Sequence, residues 1–142
     1  MRFMMLMIPK GYQNAAPGTM PPAEAVAAMM KYNESLQKAG ALLALDGLHP
    51  PSMGARISFK GGKPRVTDGP FAEAKEVIGG YWMIQVRSKE EAVEWASRCP
   101  ASNGDVIELR QVQQFADFPA DVQKAAAGFS EMQEKSGQKK GL

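Results

Sequence analysis

Gly79-Gly80-Tyr81-Trp82-Met83-Ile84-Gln85-Val86-Arg87-Ser88-Lys89-Glu90-Glu91-Ala92-Val93-Glu94-Trp95-Ala96-Ser97-Arg98-Cys99-Pro100 reads as a strand followed by a helix. Tyr81, Met83, Gln85 and Arg87 fall on one side of the first half, and Trp82, Ile84 and Val86 on the other. That is the two-residue period of a pleated strand. Ser88 then opens a helix, and the Ser-x-x-Glu spacing to Glu91 is a capping-box signature. Ala92, Val93, Trp95 and Ala96 supply the helix's apolar side, and Pro100 stops it. Asp105 to Gln113 reads as another strand, with Val106, Glu108, Arg110 and Val112 on one face and Ile107 and Leu109 on the other.

Upstream the same grammar repeats. Arg2 to Ile8 is an almost continuous apolar run and reads as a strand buried on both faces. Pro9 to Pro22 is a loop rich in glycine and proline. A helix is expected over Ala23 to Ala39, with Val26, Met29, Met30, Leu36 and, less regularly, Asn33 on its inner face. Gly40 ends it. Ala41 to Leu45 reads as a strand, Asp46-Gly47 as a turn, and His49-Pro50-Pro51 as a stiff connection. Ala55 to Phe59 and Pro64 to Thr67 form a hairpin about Gly61-Gly62. Asp68-Gly69-Pro70-Phe71 is a tight turn.

The order is strand, helix, strand, inserted hairpin, strand, helix, strand. This is an α+β chain of ferredoxin-like βαββαβ type. Both helices should cover one face of an antiparallel sheet, and a second copy of the chain is expected to cover the other. The domain is expected over 1–118. A tail over 119–142 should be helical from about Ala120 to Lys135, with Phe118, Val122, Ala125, Ala126, Phe129 and Met132 on one stripe and a bend at Gly128.

Composition narrows the function classes. The chain has 142 residues, 44% of them hydrophobic and 23% charged, as in an ordinary globular domain. A net charge of +2, with Lys139-Lys140 as the one basic cluster, argues against direct nucleic-acid binding. One cysteine, Cys99, excludes an intrachain disulfide and suits a reducing compartment, and no segment has the length of a membrane span or the features of a secretory signal. A cytoplasmic protein is expected. One histidine and one cysteine leave no structural zinc set. The ten methionines fall mostly in strand or helix patterns, as core packing rather than metal ligands. No metal and no cofactor are expected.

Gly40-Ala41-Leu42-Leu43, Gly47-Leu48-His49-Pro50, Val66-Thr67-Asp68-Gly69-Pro70-Phe71-Ala72-Glu73, Lys75-Glu76 and Gly79-Gly80-Tyr81 together resemble the DGPF subgroup of the YCII-related family. The likeness runs from Met1 to about Phe115. It implies a ferredoxin-like fold that pairs into a dimeric α/β barrel with a cleft between sheet and loops. Related barrels include muconolactone isomerase and a chloro-hydroxyquinone dechlorinase, and genes of the subgroup often lie beside those for extracytoplasmic-function sigma factors. The wider family carries a proposed His–Asp pair. By spacing, its positions fall here at Met29 and Cys99, so neither ionisable group is present.

Several residues remain as candidates. His49 titrates near neutrality and is the natural general acid or base, with Asp68 to orient it. The bland alternatives are an exposed turn histidine and an aspartate that holds its own turn. Glu73 is a ligand-binding candidate or part of a solvated charged loop. Glu108 and Arg110, on a strand whose other face is apolar, would suit a small-molecule cavity or an exposed ion pair. Tyr81 would belong to the core or to the cavity wall. Two readings stay open: a homodimeric small-molecule-binding module serving a sigma-factor-linked pathway, and an enzyme doing acid–base chemistry on a small cyclic or aromatic substrate.

Overall fold

A computed structural model describes residues 1–138 of the chain; Lys139-Lys140 lie outside the described residues. The elements are β1 (Arg2–Ile8), α1 (Ala23–Lys38), β2 (Leu42–Gly47), β3 (Ala55–Lys60), β4 (Lys63–Asp68), β5 (Gly80–Gln85), α2 (Lys89–Ser97), β6 (Val106–Gln111), α3 (Ala120–Ala125) and α4 (Phe129–Lys135). Four strands make one antiparallel sheet in the order β2-β5-β1-β6. With β3 and β4 set aside as a separate hairpin, that is the ferredoxin-like order, and the α+β reading stands. No helix among the described residues is long and apolar enough to cross a membrane.

Both helices pack on one face of the sheet. Phe3, Met5 and Met7 from β1 and Trp82, Ile84 and Val86 from the β5 segment meet Tyr32 and Leu36 of α1 and Ala92 and Trp95 of α2. Met5, Leu36 and Ile84 are fully buried, and each such side chain stabilises the fold by about 1.5–3 kcal/mol. Two hydrogen bonds fix the layers. Tyr32 donates its hydroxyl to the Trp95 carbonyl at 2.7 Å, joining the helices. The Trp82 indole donates to Asn33 Oδ1 at 2.7 Å. That bond explains a polar residue on the inner face of α1, because a buried indole N–H needs an acceptor.

The inner face of α1 differs from expectation. Met29, Tyr32, Asn33 and Leu36 face the sheet, whereas Val26 and Met30 are exposed. The observed set has i, i+3, i+4, i+7 spacing, and Met30, one residue past Met29, is rotated off it. The β1 run is not buried equally on both faces either: Met4, Leu6 and Ile8 are only half-buried, opposite the helices. Asp46 and Gly47 do not turn the chain. They continue β2, pairing with Tyr81 and Gly80. Ser88 caps α2 as expected, its hydroxyl accepting from the Glu91 N–H at 3.1 Å. The Glu91 carboxylate reaches back one residue further than a standard box, to the Arg87 N–H at 2.8 Å.

The β3–β4 hairpin turns at Gly61 and Gly62, with φ of 60° and 74°. Two successive positive values are what a type I′ turn requires. All twelve strand residues are exposed, and Ile57, Phe59, Pro64 and Val66 share one face by register. In the tail the helix breaks into α3 and α4 at Gly128, where φ is 90°. Val122, Phe129 and Met132 are exposed there, so their stripe finds no cover within the chain's described residues.

Candidate functional site

The face of the sheet turned away from the helices gathers more polar chemistry than any loop. Strand register arranges it in rungs. One rung runs Gln85–Arg2, and the backbone N–H of Val112 extends it by bonding the Arg2 carbonyl. The next runs Ala44–Met83–Met4–Arg110, and the third Asp46–Tyr81–Leu6–Glu108. Met4, Leu6 and Met83 therefore make an apolar strip. It is bordered on the β2 side by Asp46 and Tyr81, on the β6 side by Glu108 and Arg110, and at one end by Arg2.

The border groups are organised differently. Tyr81 donates its hydroxyl to Asp46 Oδ2 at 2.8 Å. That hydrogen bond is the main cause that holds the phenol above its ordinary pKa, with desolvation and the Asp46 charge adding to it. Tyr81 is thereby kept as a neutral donor and Asp46 as its acceptor. Arg110 and Glu108 approach at 3.5 Å, both largely exposed. A pair of that kind contributes at most about 1 kcal/mol and leaves the guanidinium free to engage another acceptor. Of the residues expected to bind a ligand, Tyr81, Glu108 and Arg110 share this face. Glu73 does not: it is exposed in the connection between β4 and β5.

His49 and Asp68 occupy the loops around the hairpin base. Both are exposed, and neither side chain makes a hydrogen bond or ion pair with another described residue. The surrounding backbone is well tied: Tyr12 donates its hydroxyl to the Leu48 carbonyl at 2.6 Å, Ser52 to the Ala15 carbonyl at 2.9 Å, and the Gly69 N–H bonds the Gly54 carbonyl at 2.9 Å. Asp68-Gly69-Pro70 thus works as a joint that holds the hairpin base against Pro51 and Ser52.

The positions that correspond to the His–Asp pair come together in space. Cys99 Sγ lies 3.8 Å from Met29 Sδ, at the edge of the helix-side core. Burial, with the nearby Asp105 carboxylate adding to it, pushes the Cys99 thiol up to about 11. The juxtaposition holds a thioether and a protonated thiol, neither of which exchanges a proton near neutrality.

Sequence reading missed Arg2, Gln85 and Asp46. Arg2 opens an otherwise apolar strand, and its two-residue period with Met4 and Leu6 is the signal that sets it on their face. Asp46 was hidden by its resemblance to an Asp-Gly turn, and its partner Tyr81 is 35 residues away.

An uncharacterized protein of Rhizobium meliloti (strain 1021) is 37% identical to this chain over 59 residues, which are 42% of this chain and 48% of that protein. The chain thus spans about half the length of this curated relative. The family model described as the YCII-related domain matches residues 1–116, and the chain belongs to that family.

Proposed function

We propose that the protein binds a small molecule on the sheet face opposite its helices, and that a second copy of the chain closes that face. The observation that carries this reading is the composition of the face. An apolar strip of Met4, Leu6 and Met83 is edged by the Tyr81–Asp46 pair and by Arg110 and Glu108. Apolar floor with a few placed polar groups is the usual make-up of a small-molecule site. The exposed apolar side of the hairpin and the exposed stripe of the tail add surface that a partner copy would cover. The motif from Val66 to Glu73 supports placement in the DGPF subgroup, and with it a role in a sigma-factor-linked regulatory pathway. Binding without turnover accords with a sulfur pair at Met29 and Cys99 and with an unpartnered, exposed His49.

Light scattering on the full chain at micromolar concentration should give the mass of a dimer. Met4→Glu, which sets a charge in the apolar strip, should give a monomer of unchanged circular dichroism. A wild-type monomer, or a Met4→Glu dimer as tight as the wild type, would overturn the assembly. A fragment screen by NMR should perturb the methyl signals of Met4 and Met83. Hits confined to the hairpin-base loops would move the site to His49 and Asp68.

A further inference from the structure

Arg2 is 6% exposed, and its Nη1 is buried with no hydrogen-bond partner among the described residues. The alternation of β1 sets it on the same face as Met4 and Leu6, across from Gln85. Arg110 stands on the neighbouring strand one rung away, opposite Met4. A desolvated guanidinium without an acceptor is strongly unfavourable, and proteins retain such a group where an anion completes it. No carboxylate of the chain does so among the described residues: Glu108 is two rungs distant and leans to Arg110, and Asp46 accepts from Tyr81. Arg2 and Arg110 outnumber Glu108 in this corner, and the Met1 ammonium, held by the neutral Val86 carbonyl beside them, adds to the excess of positive charge. That balance suits an anion. The planar fork of a guanidinium matches a carboxylate in two parallel N–H···O bonds.

We propose that Arg2, assisted by Arg110, anchors the carboxylate of a monocarboxylic acid whose apolar ring or chain lies on Met4, Leu6 and Met83. The proposal rests on the ligand face described above and names the class of compound it takes. Gln85, opposite Arg2, supplies an amide donor to the same carboxylate.

The test uses benzoate, benzamide and inorganic phosphate as probes on the full-length protein, followed by NMR. Benzoate should shift the Arg2 Nε–Hε signal and the Gln85 and Met4 signals, and benzamide, of equal shape without the charge, should bind at least tenfold more weakly. Arg2→Met, which keeps the aliphatic stem, should remove the preference for benzoate. It should also raise the melting temperature in ligand-free buffer, because an unpaired buried charge is gone. The Arg2 signal in the wild type decides the matter even if that variant does not fold. Equal binding of benzoate and benzamide at Met4, with the Arg2 signal unmoved, would overturn the anchor and leave the ligand face intact. Phosphate binding as tight as benzoate would overturn the choice of a carboxylic acid. No shift on this face from any probe would count against both readings.

Discussion

A Cβ built on Gly69 would overlap the carbonyl oxygen of Pro51 and stand 2.6 Å from its carbonyl carbon and 3.3 Å from the Ser52 nitrogen. These are backbone atoms, so no side chain can rotate away. Gly69 lies outside the positive-φ glycines, so what it supplies is room rather than a special conformation. Gly69→Ala must therefore lift the Asp68-Gly69-Pro70 joint off Pro51 by more than an ångström. The move breaks the Gly69 N–H bond to the Gly54 carbonyl, 2.9 Å in the native chain. The lost bond costs roughly 0.5–1.5 kcal/mol and the displaced packing roughly 1–3 kcal/mol, together about 1.5–4.5 kcal/mol. For a chain of 142 residues each kcal/mol lowers the melting temperature by about 3 °C, so the expected loss is about 5–14 °C. Release of the exposed hairpin as a unit sets a ceiling on that loss, and in that case the strain appears locally. Calorimetry and hydrogen exchange together capture both outcomes. A variant with native melting temperature and a protected amide at position 69 would refute the close approach.

Two further predictions concern titrating groups. The folded-state pKa of Cys99 is raised from 9.0 to about 11, so the fold favours the neutral thiol. Its contribution is fully present below pH about 9 and is lost as pH rises through about 11. Iodoacetamide should accordingly modify native Cys99 more slowly at pH 8 than it modifies the unfolded chain; equal rates would rule out the raised pKa of the half-buried thiol. Asp46→Asn should bring Tyr81 back toward the ordinary tyrosine range in an ultraviolet titration, and an unchanged curve would mean that the 2.8 Å bond is not formed in solution.

What the sequence disclosed depended on how local the deciding interaction was. The alternation of Tyr81 to Val86, the Ser88 cap and the Gly61-Gly62 turn are each settled within a few residues, and all three appear in the structure. Asp46-Gly47 has the composition of a turn, yet pairing with Tyr81 and Gly80 keeps it in the strand, because ladder bonds and a side-chain bond outweigh a local preference. Val26 and Met30 are apolar and helical, but only the sheet decides which stripe of α1 turns inward, and it takes Tyr32 and Leu36. The open face of the sheet is half legible for the same reason. Glu108 and Arg110 stood out on one strand, whereas their relation to Arg2 and Tyr81 exists only through strand order.

That relation also separates two kinds of chemistry within the domain. Met29 and Cys99 sit at the margin of the core formed with the helices, and Ile107 and Leu109 pack against the same core. Tyr81, Asp46, Arg110 and Arg2 belong to the opposite side of the same strands. Successive strand residues point to opposite faces, so a ligand resting on Met4 and Leu6 is separated from the sulfur pair by the sheet itself. The thioether and thiol on the helix side therefore leave the polar groups of the other face untouched. Chemistry at positions 29 and 99 and chemistry at Arg2 and Tyr81 are thus independent in this fold.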